Sequence, residues 1–563
     1  MKNKIKFYTV TFSIIGFIVL ILISLISVNN DKNSITTDNI WNTISSGGKE
    51  DVTTEIQDIF NQAKNNDTII IPRGTYLING IVEVKEKNLT IKPDGDVKFI
   101  GKGEIKFTSN TSDSFEALNM TYGSNTIVAS TTNFQTGDFI EVSGLINHTS
   151  YTPYRYKNLS YVAQVSEINN DSIVIDRNIN YDLTDVTIKK IKKPYKLVIE
   201  KGITFDSIGL NVNYSINSKI DSKFQGFRGN NGNAITINQS TNFDININLE
   251  NLTSTMGIVI NNSNSFKANI ASNNVGLKDG TGTKTLRGNG LQDAQIFLKS
   301  KNSYVVDSTI YGSRNITFSN ETENSGIYAR EINNINSNRS EAVQFSETDD
   351  LKITSNMKDI DDQALELLSV NNAEIYAEYI STLANSTEGA IVIKGHSNNI
   401  SLYNPVIRCR NDYCIKVESL EGAKNIQIIN PDIINYEKNK TGITVRDSKS
   451  PYNVKLTIIK GTIEAYSPIT IYSGHNNITI NGTNILSQGG TGISSLGDNI
   501  HIINATIDLP NIEDKPNAII SSGSLDTINK VLTNGNLVIQ GAAVNKQVSQ
   551  RYTNNNFSEV ITK

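Results

Sequence analysis

The sequence predicts an all-β chain wound as a parallel β-helix, a solenoid in which each repeat is one coil. Three observations predict it. First, eight stretches align on a short apolar core: SEAVQF (340–345), DQALEL (362–367), EGAIVI (388–393), DYCIKV (412–417), TGITV (441–445), SPITI (467–471), TGISSL (491–496) and PNAII (516–520). Second, the steps from Ala342 through Ala364, Ala390, Cys414, Ile443 and Ile469 to Ile493 are 22, 26, 24, 29, 26 and 24 residues, the period of a repeat array. Third, most stretches run into an Asn/Gly/Ser turn and a second strand such as NNISLYNP or KNIQIINP. Strands of this kind alternate apolar and polar residues with period two, so one row faces inward and the other outward.

Taken in order, the chain begins with Met1-Lys2-Asn3-Lys4-Ile5-Lys6, which is basic, and then Phe7 to Val28, 22 residues without a charge. About 20 apolar residues suffice to cross a bilayer. No small-x-small cleavage site follows, so residues 1–28 read as an uncleaved signal anchor, with lysines inside and the remainder outside. That predicts a single-pass membrane protein with an extracellular C-terminal part. A cleaved signal and a secreted protein is the second reading. Residues 29–50 are a polar linker. Val52, Ile56, Ile59, Phe60 and Ala63 then fall at helical spacing, which predicts a capping helix at the start of a first block, 51–119.

Residues 120–196 break the coil rhythm and read as an insertion of antiparallel strands, with turns at Gly137-Asp138 and Asn169-Asn170-Asp171. Coils resume over 197–526, and 527–563 read as a C-terminal cap or tail. Residues 276–290, GLKDGTGTKTLRGNG, read as a loop between coils that walls a groove.

Net charge is −4 and the isoelectric point near 5.8, so nothing argues for nucleic acid. Cys409 and Cys414 are the only cysteines and read as buried small hydrophobes near one turn.

An amphipathic helix leading into Ile71-Pro72-Arg73-Gly74-Thr75-Tyr76, and then the strand Leu89-Thr90-Ile91, resembles the opening of the pectate-lyase-like β-helix superfamily. The resemblance is closest in style to prophage and cell-surface members and covers roughly residues 50–520. It implies a right-handed parallel β-helix, a polysaccharide or surface glycan as partner, and a homotrimer, which is common in phage-type members. Arg314-Asn315 stands where those members carry Arg-His. The superfamily includes lyases, hydrolases and non-catalytic adhesins, so resemblance gives the fold without the chemistry.

Chemistry is sought where charge departs from the repeat. Asp362, Glu388 and Asp412 take one position in three successive coils, and equivalent positions lie about 4.8 Å apart. Such a column either raises a carboxyl pKa or binds a cation, here Ca²⁺. Lys394, Lys416, Arg410 and His396 are near in sequence. A lyase would use the cation and a basic residue, whereas a hydrolase would use two carboxylates. Asp361-Asp362, Gly395-His396 and Arg408 or Lys416 resemble in part the polygalacturonase-type set. Gly474-His475 repeats the Gly-His pair three coils on, so His396 also reads as a turn residue. Later coils offer Thr441, Ser467 and Thr491, which makes the charge local. Tyr151, Tyr154, Tyr156 and Tyr161 could stack on sugars or pack on the insertion itself. The expectation is an extracellular, membrane-anchored polysaccharide-active enzyme, with a non-catalytic adhesin as the alternative. Asp362→Asn and Asp412→Asn are each expected to abolish turnover while leaving thermal unfolding nearly unchanged.

Overall fold

The computed structural model describes residue 41 and residues 44–146, 158–276, 284–303, 308–324, 341–383, 388–419, 423–447, 454–472, 477–497, 499–511, 516–522, 525–540 and 557–562. The chain is a parallel β-solenoid of about 17 turns with almost no helix. In its second half each turn carries three strands, typified by Gly389–Lys394, Asn398–Tyr403 and Val406–Cys409. Each strand pairs in parallel with its equivalent one coil later, giving three sheets around one core.

The first sheet runs Glu341–Ser346, Gln363–Leu368, Gly389–Lys394, Tyr413–Ser419, Thr441–Asp447 and Ser467–Ile471, and continues to the C-terminal coils. Its inward row is Val343, Leu365, Ile391, Ile415, Ile443, Ile469 and Ile493, all buried. Identical or similar apolar side chains stacked at the strand spacing fill the core without voids, and β-branched Ile suits the extended backbone.

Register corrects one alignment. Tyr413 pairs with Thr441 and Ile415 with Ile443, so Cys414 matches Gly442 rather than Ile443. A slip of one residue exchanges inward for outward. The residue matching Asp412 is therefore Lys440, not Thr441.

Turns between the second and third sheets rest on Asn404, Asn430 and Asn504, each with positive φ (47°, 52° and 52°). Asn tolerates this left-handed conformation, and its amide is short enough to bond locally. Asn430 Nδ2 donates to Asn404 Oδ1 at 3.0 Å, so the turns also ladder from coil to coil.

Cys409 and Cys414 form a disulfide with Cα atoms 5.4 Å apart. The reading as two free hydrophobes is corrected: the bond joins the third sheet to the first across Arg410-Asn411-Asp412. Five residues of separation and a turn bring the two side chains together, which spacing alone did not disclose.

Thr53–Gln62 is helical and buries Ile56, Ile59 and Phe60. Gln57 accepts from the Glu83 N–H at 2.7 Å and donates to the Glu83 carbonyl at 2.8 Å, groups a strand edge would leave unpaired. Residues 115–190 contain a six-stranded antiparallel sheet with its own apolar cluster. It docks on the solenoid through Tyr181, whose hydroxyl donates to Ser313 O at 2.8 Å, and through Arg177 and Arg314. Phe7–Val28, the segment read as membrane-spanning, lies outside the described residues. No helix among the described residues is long and apolar enough to cross a membrane.

Candidate functional site

The outward face of the first sheet carries two parallel rows. One is Thr309, Gln344, Glu366, Val392, Lys416, Thr444, Thr470 and Ser494. The other, two residues further along each strand, includes Tyr311, Ser346, Leu368, Lys394, Glu418 and Arg446. At most positions the first row is small and neutral. Glu366 and Lys416 break that pattern, and both are buried, at 1% and 3% exposure.

Burying a charge is costly unless it is paired. Glu366 accepts from Gln344 Nε2 at 2.7 Å and faces Lys394 Nζ at 2.6 Å, one coil away. Lys416 Nζ lies 2.7 Å from Glu388 and 2.8 Å from Glu418. Two such bonds to a shared nitrogen keep the carboxylate oxygens within about 5.5 Å of each other. Burial by itself would lower the Lys416 pKa, but the hydrogen bonds and charges of Glu388 and Glu418 outweigh it and hold it above the usual lysine value. The ammonium therefore stays protonated at neutral pH and is no proton acceptor.

Gly389 makes room for this arrangement. A Cβ there would lie 3.0 Å from Lys416 Cβ and 3.1 Å from Lys416 N, so a side chain would press on the lysine stem. Further along the face, burial pushes the Tyr413 hydroxyl up to about 12, with Tyr472 reinforcing and Arg446 opposing. Arg446 sits 5.1 Å from the Tyr472 ring centre.

The predicted residues divide. Asp362, Glu388 and Asp412 do occupy one register position, immediately before the paired strands. They do not form a bare acidic column. Glu388 bonds Lys416, and Asp412 bonds Lys440, the cation that the shifted alignment had hidden. Among the described residues no three His, Cys, Asp or Glu side chains are grouped so as to hold a metal ion. Asp362 is 5% exposed, which corrects its description as a turn carboxylate facing water.

Arg410 pairs with Glu437 at 2.9 Å and lies 5.8 Å from the Tyr436 ring. His396 occupies the turn after Lys394, where its backbone N–H donates to Ser369 Oγ at 3.2 Å. A six-residue strand spans about 20 Å, so His396 stands at the opposite end of the strand from Glu388. Of the loop expected over 276–290, residues 277–283 lie outside the described residues and Lys284–Asn289 is a first-sheet strand, with Lys284 and Arg287 over the Tyr311 ring at 5.4 and 6.0 Å. Tyr161 is buried in the insertion's own core, and 151–157 lie outside the described residues.

Glu418 and Lys440 were missed by the sequence. Reading each strand at i and i+2 would have found Glu418, because it is two residues from Lys416 on the same face.

No family model matches the chain, and no curated protein sequence does. Solved structures with similar architecture include the gp54 tailspike of Acinetobacter baumannii bacteriophage AP22, in complex with capsular saccharide (12% identity, 92% of this chain, 78% of that one, TM-score 0.43). They also include the gp49 tailspike of Pseudomonas phage LKA1 (13%, 81% and 82%, TM-score 0.41). The Streptococcus pneumoniae surface adhesin PfbA is similar at 11% identity, over 89% of this chain and all of its own, with TM-score 0.29. At such identities and scores these likenesses do not bear on what this chain binds or does.

Proposed function

We propose that the chain is a surface polysaccharide-active protein that hydrolyses its glycan on the outward face of the first sheet, with Glu388 and Glu418 as the working carboxylates. One observation carries this reading: both carboxylates grip the buried Lys416, which brings them within about 5.5 Å. That ceiling lies below the roughly 6.5–9.5 Å of inverting pairs and admits the roughly 5–5.5 Å of retaining glycosidases. Lys416 fixes the positions of the two carboxyl groups. One would attack the anomeric carbon while the other, in its protonated form, gives its proton to the leaving oxygen, and water would then cleave the glycosyl-enzyme bond. Asp362 and Asp412 flank Glu388 by one coil on either side. Hydrolysis is favoured over elimination because Lys416 is held protonated and cannot remove the proton alpha to a uronate.

The test is a screen of the full chain against acidic and neutral glycans, following reducing ends and unsaturated products separately. Reducing ends that retain anomeric configuration, and that vanish in Glu388→Gln and Glu418→Gln, support it. Unsaturated products would move the reading to a lyase. Binding without turnover on every glycan would leave an adhesin.

A further inference from the structure

The second sheet presents a different surface, which the charged face does not use. Its outward row runs Asn246, Asn269, Phe297, Ser319, Thr354, Tyr376 and Tyr403, one residue per coil. Phe297 is 40% exposed, so part of its ring faces water. Its row neighbours are small and polar, so the ring stands proud of the sheet. The groove around it has a volume of about 340 Å³, within the range of small-ligand sites.

The lining combines amides and hydroxyls with the Phe297 ring and carries three charged side chains, Lys299, Glu321 and Glu378. Lys299 and Glu321 line it and pair with each other at 2.8 Å, which leaves the Glu378 carboxylate as the further charge of the lining. Along the same row, three and four coils on, Tyr376 and Tyr403 stack with ring centres 5.2 Å apart. Phe297 to Tyr376 is therefore about 14 Å along the solenoid axis, at about 4.8 Å per coil. Lys267 Nζ lies over one face of the Phe297 ring, 5.3 Å from its centre.

We propose that this face is a binding groove for a neutral polysaccharide laid along the solenoid axis, with Phe297 as its aromatic platform. Pyranose rings offer an apolar C–H face and a hydroxyl rim. The Phe297 ring, flanked along its row by Asn269 and Ser319, matches that alternation. A lipid or an apolar helix would need continuous apolar surface, which the row lacks. An anionic glycan would meet the Glu378 carboxylate in the lining, where Lys299 is already paired with Glu321. The groove lies on a different sheet from Glu388 and Glu418, so either reading can fail alone.

The experiment is affinity electrophoresis of the full chain in gels containing laminarin, galactomannan or dextran, with polygalacturonate as the anionic control. At least one neutral polymer should retard the chain. Phe297→Ala should weaken that retardation tenfold or more, Phe297→Trp should keep it, and Asn269→Ala should weaken it. Leu532→Ser, on the third sheet and 53% exposed, should leave it unchanged. Circular dichroism melts of each variant check folding, and the Asn269 variant serves if Phe297→Ala unfolds. The proposal is overturned if no neutral polymer retards the chain, if only polygalacturonate does, or if the retardation survives both alanine substitutions.

Discussion

Lys416 reaches across one coil to place its ammonium 2.7 Å from the Glu388 carboxylate, on a row whose other members are mostly Thr, Val or Ser. The lysine stem passes over Gly389, the one position of that strand without a side chain. A cation, two carboxylates and a glycine thus form one unit, spread over two coils.

Removing the cation should expose the cost of that unit. Lys416→Met leaves Glu388 and Glu418 facing each other in partly buried surroundings. Unpairing a buried charge typically costs 3–5 kcal/mol, and the partial exposure of both carboxylates keeps this case near about 3 kcal/mol. Urea unfolding measures it. The triple change Lys416→Met, Glu388→Gln, Glu418→Gln should recover most of the loss, and a triple variant no more stable than the single one would show that the pairing is not its source.

Turnover should depend on the same two carboxylates. Glu388→Gln and Glu418→Gln should each lower the hydrolytic rate by about a hundredfold or more, the usual worth of a positioned acid–base group, with KM changing far less. Reducing-end assays decide it. Rates within threefold of wild type for both would remove them from the chemistry.

Stability should also respond to acid through Asp349, at the junction of insertion and solenoid. Burial pushes its carboxyl up to about 6, opposed by Arg314 and reinforced by Asp350. An unfolded aspartate titrates near 3.9, so between about pH 4 and 6 the folded chain holds a proton that the unfolded chain has released. This group's contribution therefore falls as pH rises through that window, by up to about 3 kcal/mol. Asp349→Asn should flatten that part of the profile in urea titrations at stepped pH. An unchanged slope would assign it to other groups.

The Cys409–Cys414 bond closes a short loop, for which chain-entropy reasoning gives about 2 kcal/mol. Cys409→Ser with Cys414→Ser should lower the midpoint of unfolding accordingly. Both sulfurs are buried, so alkylation with mass readout should find the thiols protected until the chain opens. Ready reduction and alkylation of the native chain would contradict that burial.

Several features were legible in the sequence because they repeat. The apolar row Val343, Leu365, Ile391 and Ile415 recurs at a near-constant interval, and stacking makes each coil restate the last. The helix over Thr53–Gln62 was likewise written in the spacing of Ile56, Ile59 and Phe60. The insertion betrayed itself by losing the rhythm. Where short strings had to be aligned by eye, the register slipped one residue at Thr441, because Gly442 shows no apolar side chain to mark its place. That slip concealed Lys440 and made Asp412 look unpaired.

By itself the sequence determined the coil: which residues turn inward, where Asn bends the chain, and that charge collects in the coils between Glu366 and Lys416. Period-two alternation is a local property, and each strand carries it without reference to the rest. Only the tertiary structure decided which charges meet. The side chains of Lys394, Lys416 and Lys440 span coils separated by more than twenty residues of chain, and their partners Glu366, Glu388 and Asp412 are set by stacking register and by the room a glycine leaves. Pairing in a solenoid runs along the axis, perpendicular to the direction in which the sequence is read.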